Sequence, residues 1–313
     1  MKLIIQIPCL NEEENIAKTL ADLPKEIAGI SSIETLIIDD GSNDNTIIAA
    51  KNAGADHVVS FKKHKGLACA FMAGLNLATS KGADIIVNTD ADGQYRGEDI
   101  PKLIEPILKG DADMVIGQRD IEKIKDFSFI KKRLQRLGSW VVRQISGTKV
   151  LDATSGFRAY SREAALRLNV LSDYTYTIDT IIQAGKKDLA LSFVNIGRNP
   201  DVRRSRLIRS IPGYISQSCA TMLRIHAAYE PLKTFSMVGA AIFILGSALA
   251  IRFLYFYFSG DGSGHIQSLI FGAVLLIVGF QIAMIGLAAD LIANNRKLIE
   301  ESLYRIKKKE FLS

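Results

Sequence analysis

The chain has 313 residues, 48% of them hydrophobic and 23% charged, with a formal net charge of +6. That much charge excludes a bundle lying wholly within a membrane, and so large an apolar share excludes a disordered chain. The excess hydrophobicity is local: residues 1–234 read as an ordinary globular chain, and 235–290 hold most of the surplus.

The opening MKLIIQIPCLNEEEN has one lysine and a short apolar run, followed by Pro8 and a cluster of acids. A signal peptide needs a longer apolar core and small residues at a cleavage site, so this run reads as a strand. Further strand-sized runs follow at Thr35 to Ile38, His57 to Ser60, Asp84 to Val87 and Met114 to Ile116. Between them, Glu13 to Leu23, Thr46 to Ala53, Gly66 to Thr79 and Ile100 to Leu108 carry helical apolar spacing. Such alternation predicts an α/β domain with a mainly parallel sheet covered on both faces. Ligands of such sheets bind beyond the carboxyl ends of the strands. The polar residues cluster at those ends: Asn11 and Glu12, Asp39 and Asp40, Asp90 and Asp92, then Arg119.

After Arg143 the alternation weakens. Asp152 to Tyr160 reads as a polar turn running into a strand, Ser161 to Leu168 and Tyr176 to Ala184 as helices, and Leu189 to Ile196 as a strand. Ser210 to Tyr229 reads as an amphipathic helix, either along a membrane surface or on a soluble domain. Phe235 to Phe258 then has Arg252 as its only charge, and Ser268 to Ala289 has none. Each is long enough to cross a hydrocarbon core, which takes about 20 residues. Arg252 would cost about 2.5–3.5 kcal/mol at the bilayer centre, but near the segment end it can snorkel. The connector Ser259 to Gln267 lacks Lys and Arg, whereas both outer flanks are rich in them. The positive-inside rule then puts the catalytic part and both termini in the cytoplasm and the connector outside.

Two stretches are basic, Arg119 to Arg143 with Lys131, Lys132 and Arg133 at its centre, and Arg198 to Lys233 with Arg203, Arg204 and Arg206. A surface of this kind suits nucleic acid, anionic lipid or a phosphorylated small molecule, and a solvated basic face explains either stretch alone equally well. Position beside membrane segments favours lipid over nucleic acid. Cys9, Cys69 and Cys219 show no paired spacing and the four histidines are scattered, so neither a disulfide framework nor a zinc site follows.

Three clusters at strand ends carry chemistry: Pro8-Cys9-Leu10-Asn11-Glu12, Asp39-Asp40-Gly41-Ser42-Asn43-Asp44 and Asn88-Thr89-Asp90-Ala91-Asp92-Gly93-Gln94. Acids and amides in the first two can bond a base and a ribose, although a helix-capping acidic turn explains the second equally well. In the third, two carboxylates one residue apart plus Gln94 offer hard oxygen ligands for Mg²⁺ or Mn²⁺, which would bridge a diphosphate. A solvated acidic turn is the rival reading. Neither G-x-G-x-x-G after the first strand nor G-x-x-x-x-G-K-[ST] nor G-x-S-x-G occurs. Dehydrogenase, ATPase and hydrolase readings thereby lose their best support.

The ordered series PCLNEEENI, LIIDDGSNDNT, HKGLACAFMAGL, VNTDADGQY, GQRD and DATSGFRAYSREA resembles glycosyltransferase family 2, of the GT-A fold. With two C-terminal apolar runs, the chain is most similar to the polyisoprenyl-phosphate glycosyltransferases, such as dolichol-phosphate mannose synthases. The resemblance implies a Rossmann-like catalytic domain over 1–208, a juxtamembrane helix over 209–233, two transmembrane helices over 234–292 and a basic cytoplasmic tail over 293–313. It further implies that Pro8, Asn11, Glu12, Asp39, Asp40, Lys65 and Asp90 hold a nucleotide sugar, UDP-glucose or GDP-mannose. Asp90, Asp92 and Gln94 would bind the metal. Arg119 would face phosphate, and Asp152 would lie near the acceptor, which makes Asp92, Arg119 and Asp152 the catalytic set. Arginines must gather a charged lipid headgroup, and Arg119, Arg133, Arg203, Arg204 and Arg206 are the candidates. Two departures stand out: Tyr95 and Arg96 replace the His-Pro often found after D-A-D-G-Q, and Gln118 replaces a small residue before Arg119.

The activity implied is inverting transfer of a hexose to a polyprenyl or dolichyl phosphate, with homo-oligomerisation compatible with it. A glycan or glycolipid acceptor is the second enzyme reading. A catalytically idle membrane adaptor is a third, against which the intact Asp90-Ala91-Asp92 argues.

Overall fold

The apolar run after Met1 forms strand β1 (Lys2–Cys9), seven of whose eight residues are buried. Burial on both faces is what a continuous Ile/Leu run encodes in a parallel sheet. The computed structural model describes residues 1–119, 129–170, 176–197, 199, 230–260 and 265–312. Among these, β1 is joined by β2 (Ser32–Asp39), β3 (His57–Ser60), β4 (Ile85–Asn88), β5 (Met114–Arg119), β6 (Arg158–Ser161) and β7 (Leu191–Ile196). They form one sheet in the order β3-β2-β1-β4-β6-β5-β7. Every pairing is parallel except those of β6, which runs antiparallel to β4 and β5.

That one reversal shapes the functional edge. Arg158, the first residue of β6, pairs with Asn88 at the end of β4 and with Ile116 in β5. The segment entering β6 therefore meets the carboxyl ends of its parallel neighbours, so Asp152 reaches the same edge as Asp90 and Arg119.

Helices α1 (Ile16–Ala21), α2 (Thr46–Asn52), α3 (Leu67–Ser80) and α4 (Ile100–Leu108) connect the first five strands. Leu3, Ile5 and Ile7 share a core with Ile16 of α1 and Leu103, Ile104 and Ile107 of α4. Gln6, pointing to the opposite face, lies under Gly74 of α3, where an added Cβ would sit 2.6 Å from its Oε1. The later helices are α5 (Phe129–Ser146), α6 (Arg162–Arg167) and α7 (Tyr176–Lys186). Phe71 of α3 stacks on Tyr176 of α7 at 4.0 Å between centroids.

Helix α5 is not anticipated by the sequence reading, which takes its residues as a basic stretch. Its inner face is narrow, with Ser139, Val142 and Ser146 buried at helical spacing, while Arg133, Arg136, Leu137 and Trp140 are exposed. Basic residues thus obscure the apolar period.

Two long helices complete the described chain, α8 (Pro231–Phe258) and α9 (Ile266–Leu312). The expected basic tail is in fact the last part of α9. No Gly or Pro occurs after Gly286, and i,i+4 pairs Arg296–Glu300 and Glu301–Arg305 at 2.8 and 2.9 Å support the polar turns. At 1.5 Å per residue, α9 is about 70 Å long, more than twice a hydrocarbon core of about 30 Å. The chain divides into two compact units, Met1–Thr221 with Glu301–Ser313, and Met222–Glu300. Within the first, Tyr304 donates to Glu163 at 2.8 Å and lies under the Arg167 guanidinium, and Lys307 donates to Asn76 at 2.9 Å. The expected amphipathic helix at Ser210 to Tyr229 lies outside the described residues.

In the second unit α8 and α9 pack through glycines. Gly239 faces Gly279, and Gly246 faces Gly272. The outer faces expose Ile244, Leu245, Ile251, Phe258, Ile270, Phe271, Ile277 and Phe280. A water-soluble surface does not present so much contiguous apolar area, and both helices are long and apolar enough to cross a membrane. A Cβ on Gly279 would lie 2.7 Å from the Phe243 nitrogen and 2.8 Å from the Gly239 oxygen, so the backbones themselves would have to separate. We expect Gly279→Ile to lower the hairpin's stability by about 1–3 kcal/mol, read by unfolding of the purified chain in detergent.

Candidate active site

At the β1 and β2 ends the loops latch onto each other. Asn11 adopts a left-handed backbone, φ 55°, uncommon for a non-glycine residue. Its N–H donates to Ser42 Oγ and its Oδ1 accepts the Asn43 N–H, both at 2.8 Å. The Glu12 N–H donates to Thr46 Oγ1 at 2.8 Å, while Glu12 Oε2 accepts from Asn15. Asp39 and Asp40 are both buried. Asp39 accepts from Ser60 Oγ at 2.7 Å and from the Ser42 N–H, and Asp40 from the N–H groups of Lys65 and Gly66 at 2.7 and 2.9 Å. The acids thus shape the rim of the cleft as well as supplying charge to it. Lys65 is exposed, its ammonium 4.9 Å from the Phe61 ring centroid. Burial and the surrounding carboxylates, Asp39 foremost, push the Cys9 thiol far up, so it stays protonated.

Beyond β4, Asn88 is fully buried and donates to Gly156 O and Tyr176 Oη, each at 2.9 Å. The turn that follows carries Asp90 and Asp92, and Asp92 Oδ1 accepts the Gln94 N–H at 3.1 Å. Tyr95 stacks on Phe157 at 5.0 Å, and its hydroxyl accepts the Gly156 N–H at 3.0 Å. Gly156 leaves the space that Asp90 occupies, since a Cβ there would stand 3.0 and 3.1 Å from the Asp90 oxygens. Across the edge Arg119 makes a bidentate pair with Asp152, Nε to Oδ2 at 2.7 Å and a terminal nitrogen to Oδ1 at 3.0 Å. Thr154 Oγ1 accepts from Arg119 and from Gln135 of α5, and Gln135 also reaches Asp152.

The electrostatics follow from this crowding. Burial raises the Asp152 carboxyl, but the Arg119 guanidinium outweighs it and holds the group below the usual carboxylate range. Burial opposes charge on Arg119, yet Tyr95, Asp152 and Asp90 keep it above its ordinary value. Asp90 differs: burial, and then the neighbouring Asp92, push it up to about 7, against the pull of Arg119. An all-oxygen donor set whose carboxyl is kept from ionising by burial and a neighbouring acid suits a divalent cation. Asp90, Asp92 and Gln94 are the residues able to hold one. Among the described residues no cluster of three His, Cys, Asp or Glu offers a different metal site.

Residues 4–168, more than half of the chain, match the family profile described as Glycosyl transferase family 2. The chain belongs to glycosyl transferase family 2. The undecaprenyl-phosphate mannosyltransferase of Micrococcus luteus is 29% identical over 196 residues, 59% of this chain and 79% of that protein. The UDP-N-acetylglucosamine–dolichyl-phosphate N-acetylglucosaminyltransferase of Methanococcus voltae is 33% identical over 219 residues, 62% of this chain and 82% of that protein. Among solved structures, glucosyl-3-phosphoglycerate synthase of Mycobacterium tuberculosis with Mn²⁺, UDP-glucose and phosphoglyceric acid superposes with a TM-score of 0.59. That similarity carries 25% identity and covers 72% of this chain and 80% of the other. The glycosyltransferase domain has the GT-A fold, as its sheet order and this likeness agree.

In this glycosyltransferase the expected site residues fall into two neighbourhoods. Pro8, Asn11, Glu12, Asp39, Asp40 and Lys65 surround the β1 and β2 ends, while Asp90, Asp92, Gln94, Arg119 and Asp152 surround the β4, β5 and β6 ends. The Glu12 charge adds to the upward push on Asp90, which links the two. Arg133 is exposed on α5, two residues from Gln135. Arg203, Arg204 and Arg206 lie outside the described residues. Sequence reasoning assigned no role to Arg158, Asn88, Gln135 or Tyr176. For Arg158 the available signal was a charge beside Phe157, Ala159 and Tyr160 in an apolar strand; for Gln135 and Tyr176 there was none.

With no divalent ion bound, the folded chain keeps the Asp90 proton up to about pH 7, whereas an unfolded chain releases it near the ordinary value of about 3.9. The folded state then binds more protons across that window, so Asp90 makes stability fall as pH rises from about 4 to about 7. We expect melting temperatures in chelator to show this decline, Asp90→Asn to lack it, and saturating Mn²⁺ to flatten it.

Proposed function

We propose that this glycosyltransferase moves a hexose, glucose or mannose, from a nucleotide sugar to a polyprenyl or dolichyl phosphate at the cytoplasmic membrane face, with inversion. The observation that carries the proposal is the meeting of the Asp90–Asp92 turn with the Arg119–Asp152 pair at one sheet edge, in a chain with two exposed apolar helices. Relatives named for undecaprenyl and dolichyl phosphate acceptors support the acceptor class, and a neighbour solved with Mn²⁺ and UDP-glucose supports the donor class.

The Asn11, Glu12, Asp39 and Asp40 rim receives the nucleoside. Asp90, Asp92 and Gln94 would hold Mg²⁺ or Mn²⁺, which would supply positive charge for the departing diphosphate. Arg119, kept charged and oriented by Asp152, offers its remaining edge to phosphate. Asp152 works as a positioning group: both its oxygens engage Arg119, and its depressed pKa makes it a poor proton acceptor. An acceptor phosphate has its second pKa near about 6 and is largely anionic at neutral pH, so it attacks without a general base. Arg133 and the arginines at 203, 204 and 206 gather that headgroup.

The test is a screen of UDP-glucose, GDP-mannose and UDP-N-acetylglucosamine with dolichyl or undecaprenyl phosphate, scoring label in the lipid phase. Transfer to a glycan or glycolipid instead would replace this reading by the second enzyme reading. Asp92→Asn should cut turnover by at least about 100-fold, the upper end of what outer-shell changes cost, and excess chelator should abolish it.

Both helices crossing as a hairpin would place the connector Ser259 to Gln267 outside. A cysteine placed in that connector, in a background lacking Cys9, Cys69 and Cys219, should react with impermeant maleimide from the outer face of intact cells. Labelling only after lysis would reverse the topology.

A further inference from the structure

The Asp92–Gln94 turn is half-buried between the buried Ala91 and Tyr95. A cavity of about 270 Å³ lined by Lys18, Thr19, Asp22, Gly93, Tyr95 and Asn199 borders it. Gly93 sits at φ +69°, and a glycine peptide is the easiest to rotate. Hydrogen bonds must therefore fix the turn.

They come from two sides. On the α1 side, Thr19 Oγ1 donates to Ala91 O at 3.0 Å, and Asp22, just after the helix, accepts the Gly97 N–H through Oδ2 at 2.7 Å. From the segment after β7, the Gly197 N–H donates to Asp99 Oδ2 at 2.7 Å, and Asn199 donates twice. Its main-chain N–H meets Gln94 O at 2.9 Å, and its Nδ2 meets Gly93 O at 3.0 Å. The second bond falls on a telling atom. Gly93 O and the Gln94 N–H belong to one peptide group, and that N–H is the donor to Asp92 Oδ1. A side chain that holds the oxygen end of this peptide also holds the end that aims the carboxylate.

We propose that Asn199 is a positioning residue for divalent-ion binding, fixing the Gly93–Gln94 peptide so that Asp92 and Gln94 present their oxygens together. The inference rests on the reading of Asp90, Asp92 and Gln94 as the metal-binding groups. Asn199 bonds a carbonyl on the far side of the turn, so its loss should change the metal affinity of the site rather than its ligand set. Outer-shell hydrogen bonds of this kind commonly govern affinity by about 10–100-fold.

The experiment titrates the full chain, purified in detergent without nucleotide, with Mn²⁺ and reads the free ion by electron paramagnetic resonance. Asn199→Ala and Asn199→Leu, the latter keeping the branched heavy-atom skeleton without the donor, should each weaken Mn²⁺ binding about 10-fold. Their KM for Mn²⁺ in turnover should rise in parallel, with kcat at saturating Mn²⁺ nearly unchanged and melting in chelator as in the parent. Asp92→Asn serves as the reference and should lose Mn²⁺ binding. Unaltered affinity in both Asn199 variants beside a loss in Asp92→Asn overturns the role of Asn199. Unaltered affinity in Asp92→Asn overturns the metal reading itself.

Discussion

The Arg158 guanidinium is fully buried, and the arrangement of acids at the sheet edge depends on how it is satisfied. It donates to Ser155 O, Ala153 O, Thr177 O and Thr180 Oγ1 at 2.6 to 3.0 Å. A buried cation left without such partners would cost several kcal/mol, so the carbonyls of residues 153 and 155 are compelled to turn inward. That constraint folds the segment ahead of β6 around one charge and ties it to α7. Asp152 and Gly156 stand on this segment, and their partners Arg119 and Asp90 are placed as a consequence.

Charge is distributed unevenly along the edge that results. Asp152 is compensated within the protein by a bidentate guanidinium, whereas Asp90 is pushed up by burial and then by Asp92, with Arg119 and Arg158 offsetting them only in part. Asp152 is thus a fixed structural anion, while burial beside Asp92 holds the Asp90 carboxyl well above the usual range. Two roles arise from one residue type because Asp152 bonds the Arg119 guanidinium directly, whereas burial dominates at Asp90. The aromatic pair Tyr95–Phe157 stacks beside them, and the Tyr95 hydroxyl accepts the Gly156 N–H.

The end of α9 belongs to the fold of the catalytic unit. Tyr304 and Lys307 engage α6 and α3, and the N–H of Gly66, just before α3, binds Asp40. A helix that begins with a charge-free apolar run therefore finishes bonded to α3 and α6 of the catalytic unit. Its amphipathic last turns explain how: Lys307 turns inward to Asn76 while Arg305 stays exposed and pairs with Glu301 along the helix.

Much of this was legible in the residues. Ile- and Val-rich runs marked β1 through β5 because strands buried on both faces need them, and acids at their ends marked the cleft. The two apolar runs marked α8 and α9 because hydropathy over some 20 residues has few other meanings. What the residues could not convey was pairing across the chain. The antiparallel placement of β6, the bond from Asn199 to a turn more than a hundred positions earlier, and the capture of Asp152 by Arg119 all join segments distant in sequence. Local pattern records which face a side chain buries, but not which partner waits there. The sequence by itself therefore determined the α/β order, the family and the chemical character of the site. The tertiary structure alone decided which carboxylate is bonded to an arginine and which is held up by burial beside a second acid, because that depends on contacts between segments far apart in sequence.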